Sequence, residues 1–367
     1  MKTALVHDWL ISPIGGAENT LKEIFSLYPS PIHTLLWNPS AFQNTPFTEV
    51  RSSFIQKMPF SAKRFRSYLP LFPLAIEQFD LSSYDLILSS SHCVAKGVLT
   101  HPEQTHICYC HTPMRYLWDL HHEYLKEAKL DRGVKGFLAR AFLHYLRGWD
   151  VTSAKRVDHF IANSKFVARR IEKFYGRESK VIYPPVDTDY YCLSEKRENY
   201  YLTSSRLVPY KKIDLIVEAF SHLPEQKLVI IGDGPEADKI KQKATKNIEF
   251  LGYQSRDILR QYMQKAKAFV FAALEDFGIV PIEAMATGTP VIAFGKGGAA
   301  ETVLHEKTGL LFENQTAQEI QKAVLRFEAI QDRFDSKAIS LHAAMFSAQR
   351  FREELKLFVE QHCNKAV

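Results

Sequence analysis

Two glutamates bracket a short glycine-containing segment in a way that suits the handling of a phosphorylated sugar. The stretch Glu275-Asp276-Phe277-Gly278-Ile279-Val280-Pro281-Ile282-Glu283 follows the apolar run Ala268 to Ala272, and proline near its start with Gly288 past its end frames a short helix from about Val280 to Thr287. Free backbone N–H groups from Gly278 through Ile279 and Val280 suit a diphosphate, and Gly278 lets a ligand come close to the chain. Phe277 belongs to the same donor-binding segment. Glu275 can accept hydrogen bonds from sugar hydroxyls, while Glu283, within the helix, can accept them from a ribose. The helix dipole accounts for one glutamate in a first turn. It does not account for a pair around a glycine loop.

A cation pair fits the same chemistry. Breaking the bond between a sugar and a nucleotide diphosphate leaves growing negative charge on the β-phosphate, which Arg206 and Lys211, on one loop, can neutralise; Lys212 reads as an ordinary surface base. His111 closes the apolar run Thr105 to Cys110, at the strand end where open α/β sheets hold ligands. His33, His92 and His144 have no such setting and read as structural. Gly15 and Gly16 open the first helix, where small residues let backbone amides meet a phosphate or an acceptor hydroxyl, or where they simply make a tight turn. Gly232-Asp233-Gly234-Pro235 follows a strand but lacks the third glycine of a dinucleotide fingerprint. It weighs against an NAD-dependent oxidoreductase and suits a loop near a nucleotide.

Taken in order and spacing, these segments resemble the family 4 glycosyltransferases, whose EX7E motif matches Glu275 to Glu283. The resemblance takes in Gly15-Gly16-Ala17-Glu18, His111-Thr112-Pro113, Ser205 to Lys211, Gly232 to Pro235 and Gly297-Gly298-Ala299-Ala300-Glu301-Thr302, nearly the whole chain. It implies an α/β chain of the GT-B fold: two Rossmann-like domains facing each other across a cleft, acceptor on the first and nucleotide-sugar on the second. It implies retention of the donor's anomeric configuration, His111 beside the anomeric carbon, and Tyr253 and Gln254 at the base through backbone atoms. It also implies that Arg206 and Lys211 replace a divalent metal, so that no metal and no further cofactor is expected. The catalytic set is then His111, Arg206, Lys211 and Glu275. His7-Asp8-Trp9 and Cys110 to Tyr116 look like enzymes that build bacterial surface polysaccharides. The expected donor is UDP-glucose and the expected acceptor a glycan or a lipid-linked sugar. GDP-mannose is the alternative donor, and a non-catalytic sugar-nucleotide-binding subunit of an assembly complex the alternative role.

The remaining sequence must position these groups. At 367 residues the chain exceeds what one hydrophobic core usually organises, and short apolar runs alternate with helical periodicity, as in parallel sheets covered by helices. Val181-Ile182-Tyr183-Pro184-Pro185-Val186-Asp187 ends one such series with two prolines, and a second starts at Tyr200. The expected domains are 1–186, 187–346 and a terminal helical segment, 347–367, which by the resemblance returns to the first. No apolar run approaches the ~20 residues that span a bilayer, and the start reads as a core strand rather than a signal peptide. Five scattered cysteines suggest neither a disulfide framework nor a zinc site, so a cytoplasmic location is expected. Residues 1–186 hold 23 Lys and Arg against 16 Asp and Glu, whereas the remainder is balanced at 24 against 25. The basic excess, with aromatics interleaved at Lys57 to Arg66 and a basic helical stretch at Lys135 to Arg147, suggests peripheral contact with an anionic membrane surface ahead of nucleic acid. A solvated basic face over a core stripe is the plainer alternative.

Overall fold

Short strands, most of them buried on both faces, build two all-parallel sheets. The computed structural model describes residues 1–12 and 15–363; Pro13 and Ile14, part of the expected glycine turn, lie outside them. Thirteen strands are present among the described residues: β1 Thr3–His7, β2 Ile32–Thr34, β3 Val50–Ser52, β4 Leu86–Ser91, β5 Thr105–Cys110, β6 His159–Ala162, β7 Ser179–Val181, β8 Tyr201–Ser204, β9 Leu228–Ile231, β10 Ile248–Gly252, β11 Ala268–Phe271, β12 Val291–Phe294 and β13 Gly309–Phe312. The chain divides at the double proline into a unit of Met1–Pro184 completed by the segment from Phe351 onward, and a unit of Pro185–Arg350.

In the first unit the sheet order is β3-β2-β1-β4-β5-β6-β7, so the direction of winding reverses between β1 and β4. Their register pairs His7 with Ser90, which brings the carboxyl ends of both strands together at the place where such folds hold ligands. Side chains alternate across the sheet. Ala4, Val6 and Ile87 face a core with Phe72, Val94 and Leu146, while Leu5, Leu88, Ile107 and Tyr109 face another. That second core is completed by Phe351, Leu355 and Val359 of the helix Ala348–Cys363.

The second unit repeats the plan with order β10-β9-β8-β11-β12-β13 and its own reversal between β8 and β11. Tyr201, Ile230, Val270, Ile292 and Leu310 share one core with Phe220 and Phe327 from the covering helices. Both units are Rossmann-like, and the fold class is GT-B.

A buried ion pair braces the first unit. Lys96 Nζ lies 2.5 Å from Asp150 Oδ1, both fully buried, with the ammonium over the rings of Trp149 and Tyr175. Asp150 Oδ2 accepts from Trp118 Nε1 at 2.9 Å and from the Tyr175 hydroxyl at 3.0 Å, so one carboxylate joins the helix Gly133–Ala154 to three other segments. Removing one partner of such a pair leaves an uncompensated buried charge. Asp150→Ala is expected to destabilise this unit by ~3–5 kcal/mol. All four tryptophans, at positions 9, 37, 118 and 149, lie in this unit, so urea unfolding followed by tryptophan fluorescence reads it alone. An unchanged midpoint would show that the pair contributes nothing.

Candidate functional site

In the first unit the strand ends at the winding reversal carry a cluster of polar groups. His111, the residue after β5, is buried, and its Nε2 lies 2.8 Å from Ser90 Oγ. Ser90 Oγ also lies 3.2 Å from His7 Nδ1, and the same ring nitrogen is 3.1 Å from the Ser90 carbonyl oxygen. Burial first, then the neighbouring His92, lower the His7 pKa to about 4. Burial, with His92 and His7 alongside, likewise holds His111 well below the ordinary histidine range. Both rings are therefore neutral near pH 7. His111 can exchange hydrogen bonds with a hydroxyl but brings no positive charge.

Asp8 holds this arrangement in place. Its buried carboxylate accepts four backbone N–H groups, from His92 at 2.6 Å and Cys93 at 2.9 Å on one oxygen and from Val94 at 2.6 Å and Ala95 at 2.7 Å on the other. His92 Nδ1 stands 3.1 Å from the same carboxylate, and its ring meets Trp9 edge-on at 4.5 Å and His111 at 6.3 Å. His92, read from sequence as structural, is thus held by Asp8 and neighbours His111. The signals available were His7-Asp8-Trp9 at the end of the first strand and the polar Ser89-Ser90-Ser91 ending an apolar one. Gly15 precedes the helix Gly16–Leu27, and a Cβ on it would meet the Glu18 carboxylate. Burial raises the Glu18 pKa. The same unit has a cavity of about 510 Å³ lined by Trp118, Asp119, Arg147 and Phe174. Arg170 ties Asp119 to Thr112, next to His111.

In the second unit the loops after β8 and β11, adjacent strands at the reversal, carry the other candidates. Arg206 is exposed, with no ion pair among the described residues, while Lys211 and Glu275 form an ion pair with each other. The helix begins at Ile279, one residue before the expected start; Gly278 precedes it with φ 88°, and no side chain caps it. Phe277 is buried against Phe346, so only its backbone is placed like its neighbours. Ile279 and Val280 are half-buried.

Glycines bring these loops together. A Cβ at Gly297 would lie 2.3 Å from the Glu275 carbonyl oxygen and one at Gly298 2.1 Å from that of Phe277. A Cβ at Gly232 would lie 1.9 Å from the Ser205 carbonyl oxygen and one at Gly234 2.4 Å from that of Leu207. Gly232 and Gly234 thus have a packing task, seating the loop that carries Arg206. Tyr253, after β10, is exposed, and Gln254 Nε2 donates to the Leu251 carbonyl at 2.6 Å.

Glu283 lies among Tyr191, Arg256 and Asp187, and burial outweighs Arg256 to raise its pKa to about 7 from an ordinary 4.5. Between those values the folded unit binds a proton that the unfolded chain gives up, so stability falls as the pH rises through this window. The cost is full above about pH 7 and absent below 4.5. A charge kept at the expense of stability is a mark of functional placement. Glu283→Gln is expected to raise the calorimetric melting temperature at pH 8 and to leave it unchanged near pH 4. An equal change at both values would show that the carboxylate is not under strain.

Both units match known protein families. A model described as Glycosyltransferase Family 4 matches residues 14–190, and one described as Glycosyl transferases group 1 matches residues 193–340. An uncharacterized glycosyltransferase of Methanocaldococcus jannaschii is 31% identical over 46% of this chain and 49% of its own length. The GDP-mannose-dependent alpha-(1-6)-phosphatidylinositol monomannoside mannosyltransferase of Mycobacterium tuberculosis is 31% identical over 49% of this chain and 54% of its own. The matches thus span about half the length of these curated relatives. The crystal structure of Anabaena HepE in complex with UDP-glucose superposes with a TM-score of 0.71 and 20% identity, covering 98% of this chain and 100% of HepE. With both family models matched in succession and the fold shared end to end, the chain belongs to the family 4 glycosyltransferases.

Proposed function

We propose that this protein is a retaining, metal-independent hexosyltransferase that moves glucose from UDP-glucose to a glycan or lipid-linked acceptor in polysaccharide biosynthesis. The observation that carries the reading is the pairing of Lys211 with Glu275, beside the exposed Arg206 and the uncapped helix start after Gly278, all on loops of two adjacent strands. Arg206 and Lys211 neutralise the charge that grows on the departing β-phosphate, and the amides from Gly278 to Val280 receive the diphosphate. Glu275 accepts from sugar hydroxyls and Glu283 from the ribose. The acceptor hydroxyl attacks the anomeric carbon from the face the diphosphate leaves, the glycosidic bond to phosphate breaks through an oxocarbenium-like state, and a phosphate oxygen takes the hydroxyl proton. HepE crystallised with UDP-glucose supports the donor. The mannosyltransferase relative supports GDP-mannose as the second reading.

Peripheral contact with an anionic membrane surface is part of the proposal. Val134, Phe137, Leu138 and Tyr145, each at least 60% exposed, lie on one side of the helix Gly133–Ala154, with Arg132, Lys135 and Arg140 around them. Apolar side chains flanked by bases suit a lipid headgroup layer. No helix among the described residues is long and apolar enough to cross a membrane.

Two measurements test these readings. Donor hydrolysis without acceptor, run in excess EDTA on UDP-glucose, UDP-galactose and GDP-mannose, is expected to consume UDP-glucose. In the same assay Glu275→Ala should lose turnover while still binding UDP. Consumption of GDP-mannose alone would overturn the donor, and loss of all turnover with recovery on added magnesium would overturn the role of Arg206 and Lys211. In vesicle co-sedimentation, Phe137→Glu combined with Leu138→Glu should abolish binding to phosphatidylglycerol vesicles. Equal binding by wild type and variant would remove the membrane contact.

A further inference from the structure

We infer that Ser90 and His7 are positioning residues for His111, holding its imidazole as the tautomer with the proton on Nδ1 and so setting which ring atom donates to the transferred sugar. The inference rests on the reading of His111 as the residue beside that sugar.

The argument runs along one chain of hydrogen bonds. His7 Nδ1 faces the Ser90 carbonyl oxygen at 3.1 Å. A carbonyl can only accept, so His7 must carry its proton on Nδ1. The same N–H lies 3.2 Å from Ser90 Oγ, which fills one acceptor position on the hydroxyl and turns its single hydrogen elsewhere. The described hydrogen bonds of Ser90 Oγ offer that hydrogen one other partner, His111 Nε2 at 2.8 Å. Ser90 is fully buried. Its hydroxyl therefore donates to Nε2, and a neutral His111 must hold its proton on Nδ1. The opposite tautomer would aim two donors at one serine oxygen and leave the hydroxyl hydrogen of a buried group without an acceptor. Lattice-like rigidity comes from the β1–β4 register, which sets His7 opposite Ser90, and from the β4–β5 register, which sets Ser91 opposite Cys110 just before His111. His7 Nε2, at the far end of the chain of bonds, is buried without a partner among the described residues, as expected of a ring whose orientation is dictated from its Nδ1 side.

The test joins a spectroscopic readout to a kinetic one on the full chain. Protein labelled with ¹⁵N at histidine, with the His111 signals identified by their loss in His111→Gln, should show His111 as the Nδ1–H tautomer. Ser90→Ala should release the ring to a mixture of tautomers and lower kcat for UDP-glucose ~10-fold or more with little change in donor KM, because a donor aimed at the transition state is lost. His7→Asn, whose amide nitrogen stands where Nδ1 stood, should keep most of the turnover that His7→Leu loses. Tryptophan fluorescence confirms that each variant is folded. A wild-type ring found as the Nε2–H tautomer overturns the inference and leaves the proposed function standing. Equal turnover in His7→Leu and His7→Asn overturns the part assigned to His7. Wild-type turnover in His111→Ala overturns the reading of His111 itself, and the inference with it.

Discussion

A parallel sheet obliges every strand to deliver its chain at the same edge, and both units of this protein depend on that constraint. Where the winding reverses, between β1 and β4 in one unit and β8 and β11 in the other, two neighbouring connections leave in opposite directions and open a gap between them. Every candidate group follows a strand end or a loop on that edge: His7, Ser90 and His111 in the first unit, Arg206, Lys211, Glu275 and Gly278 in the second. Chemistry is grouped here because the gap at the reversal gives a ligand room among loops from neighbouring strands.

The two units hold their loops by different means. In the first, a buried charge does it: the Asp8 carboxylate gathers four amides from His92 to Ala95 and so dictates the path of the chain beside His111. Charge-assisted bonds to backbone N–H groups are short and directional, which makes one side chain enough. In the second, close contact of main chains does it. Gly232, Gly234, Gly297 and Gly298 each put bare Cα atoms where a side chain would collide with a carbonyl of the neighbouring loop. Glycine pairs read from sequence as ligand cradles are therefore also the packing surface that sets the loop carrying the ligand groups.

Legibility of the sequence followed the range of the interaction. Thr105–Cys110 is a strand over the residues expected, since its length and branched residues express a fully buried position. Ile32–Thr34 and Val50–Ser52 were not foreseen, being three-residue strands at the sheet margin with too few positions to show a pattern. The basic stretch Lys135 to Arg147 is the middle of a longer helix, Gly133–Ala154. Motif residues such as Lys211 and Glu275 were legible because local spacing carries them, yet their mutual ion pair joins loops from different strands and has no local signature. The tie of His92 to Asp8 has no local signature either, since Asp8 is far away in sequence. The strain on Glu283 comes from burial, which Arg256 and Tyr191 only partly offset and to which Asp187 adds, surroundings brought to it only by the folded unit.

The helix Ala348–Cys363 gives the first unit a particular history during synthesis. Phe351, Leu355 and Val359 share a core with Leu5, Leu21, Tyr109 and Ile161, yet the whole of Pro185–Arg350 lies between them in the chain. A ribosome must therefore translate the second unit before it can release the side chains that finish the first. The early strands wait with one face of their sheet only partly covered, and the later domain, contiguous in sequence, is free to fold ahead of the earlier one. Vectorial synthesis and domain completion thus run in opposite orders in this chain, and the nascent first unit has a built-in interval of exposed apolar surface for chaperones to cover.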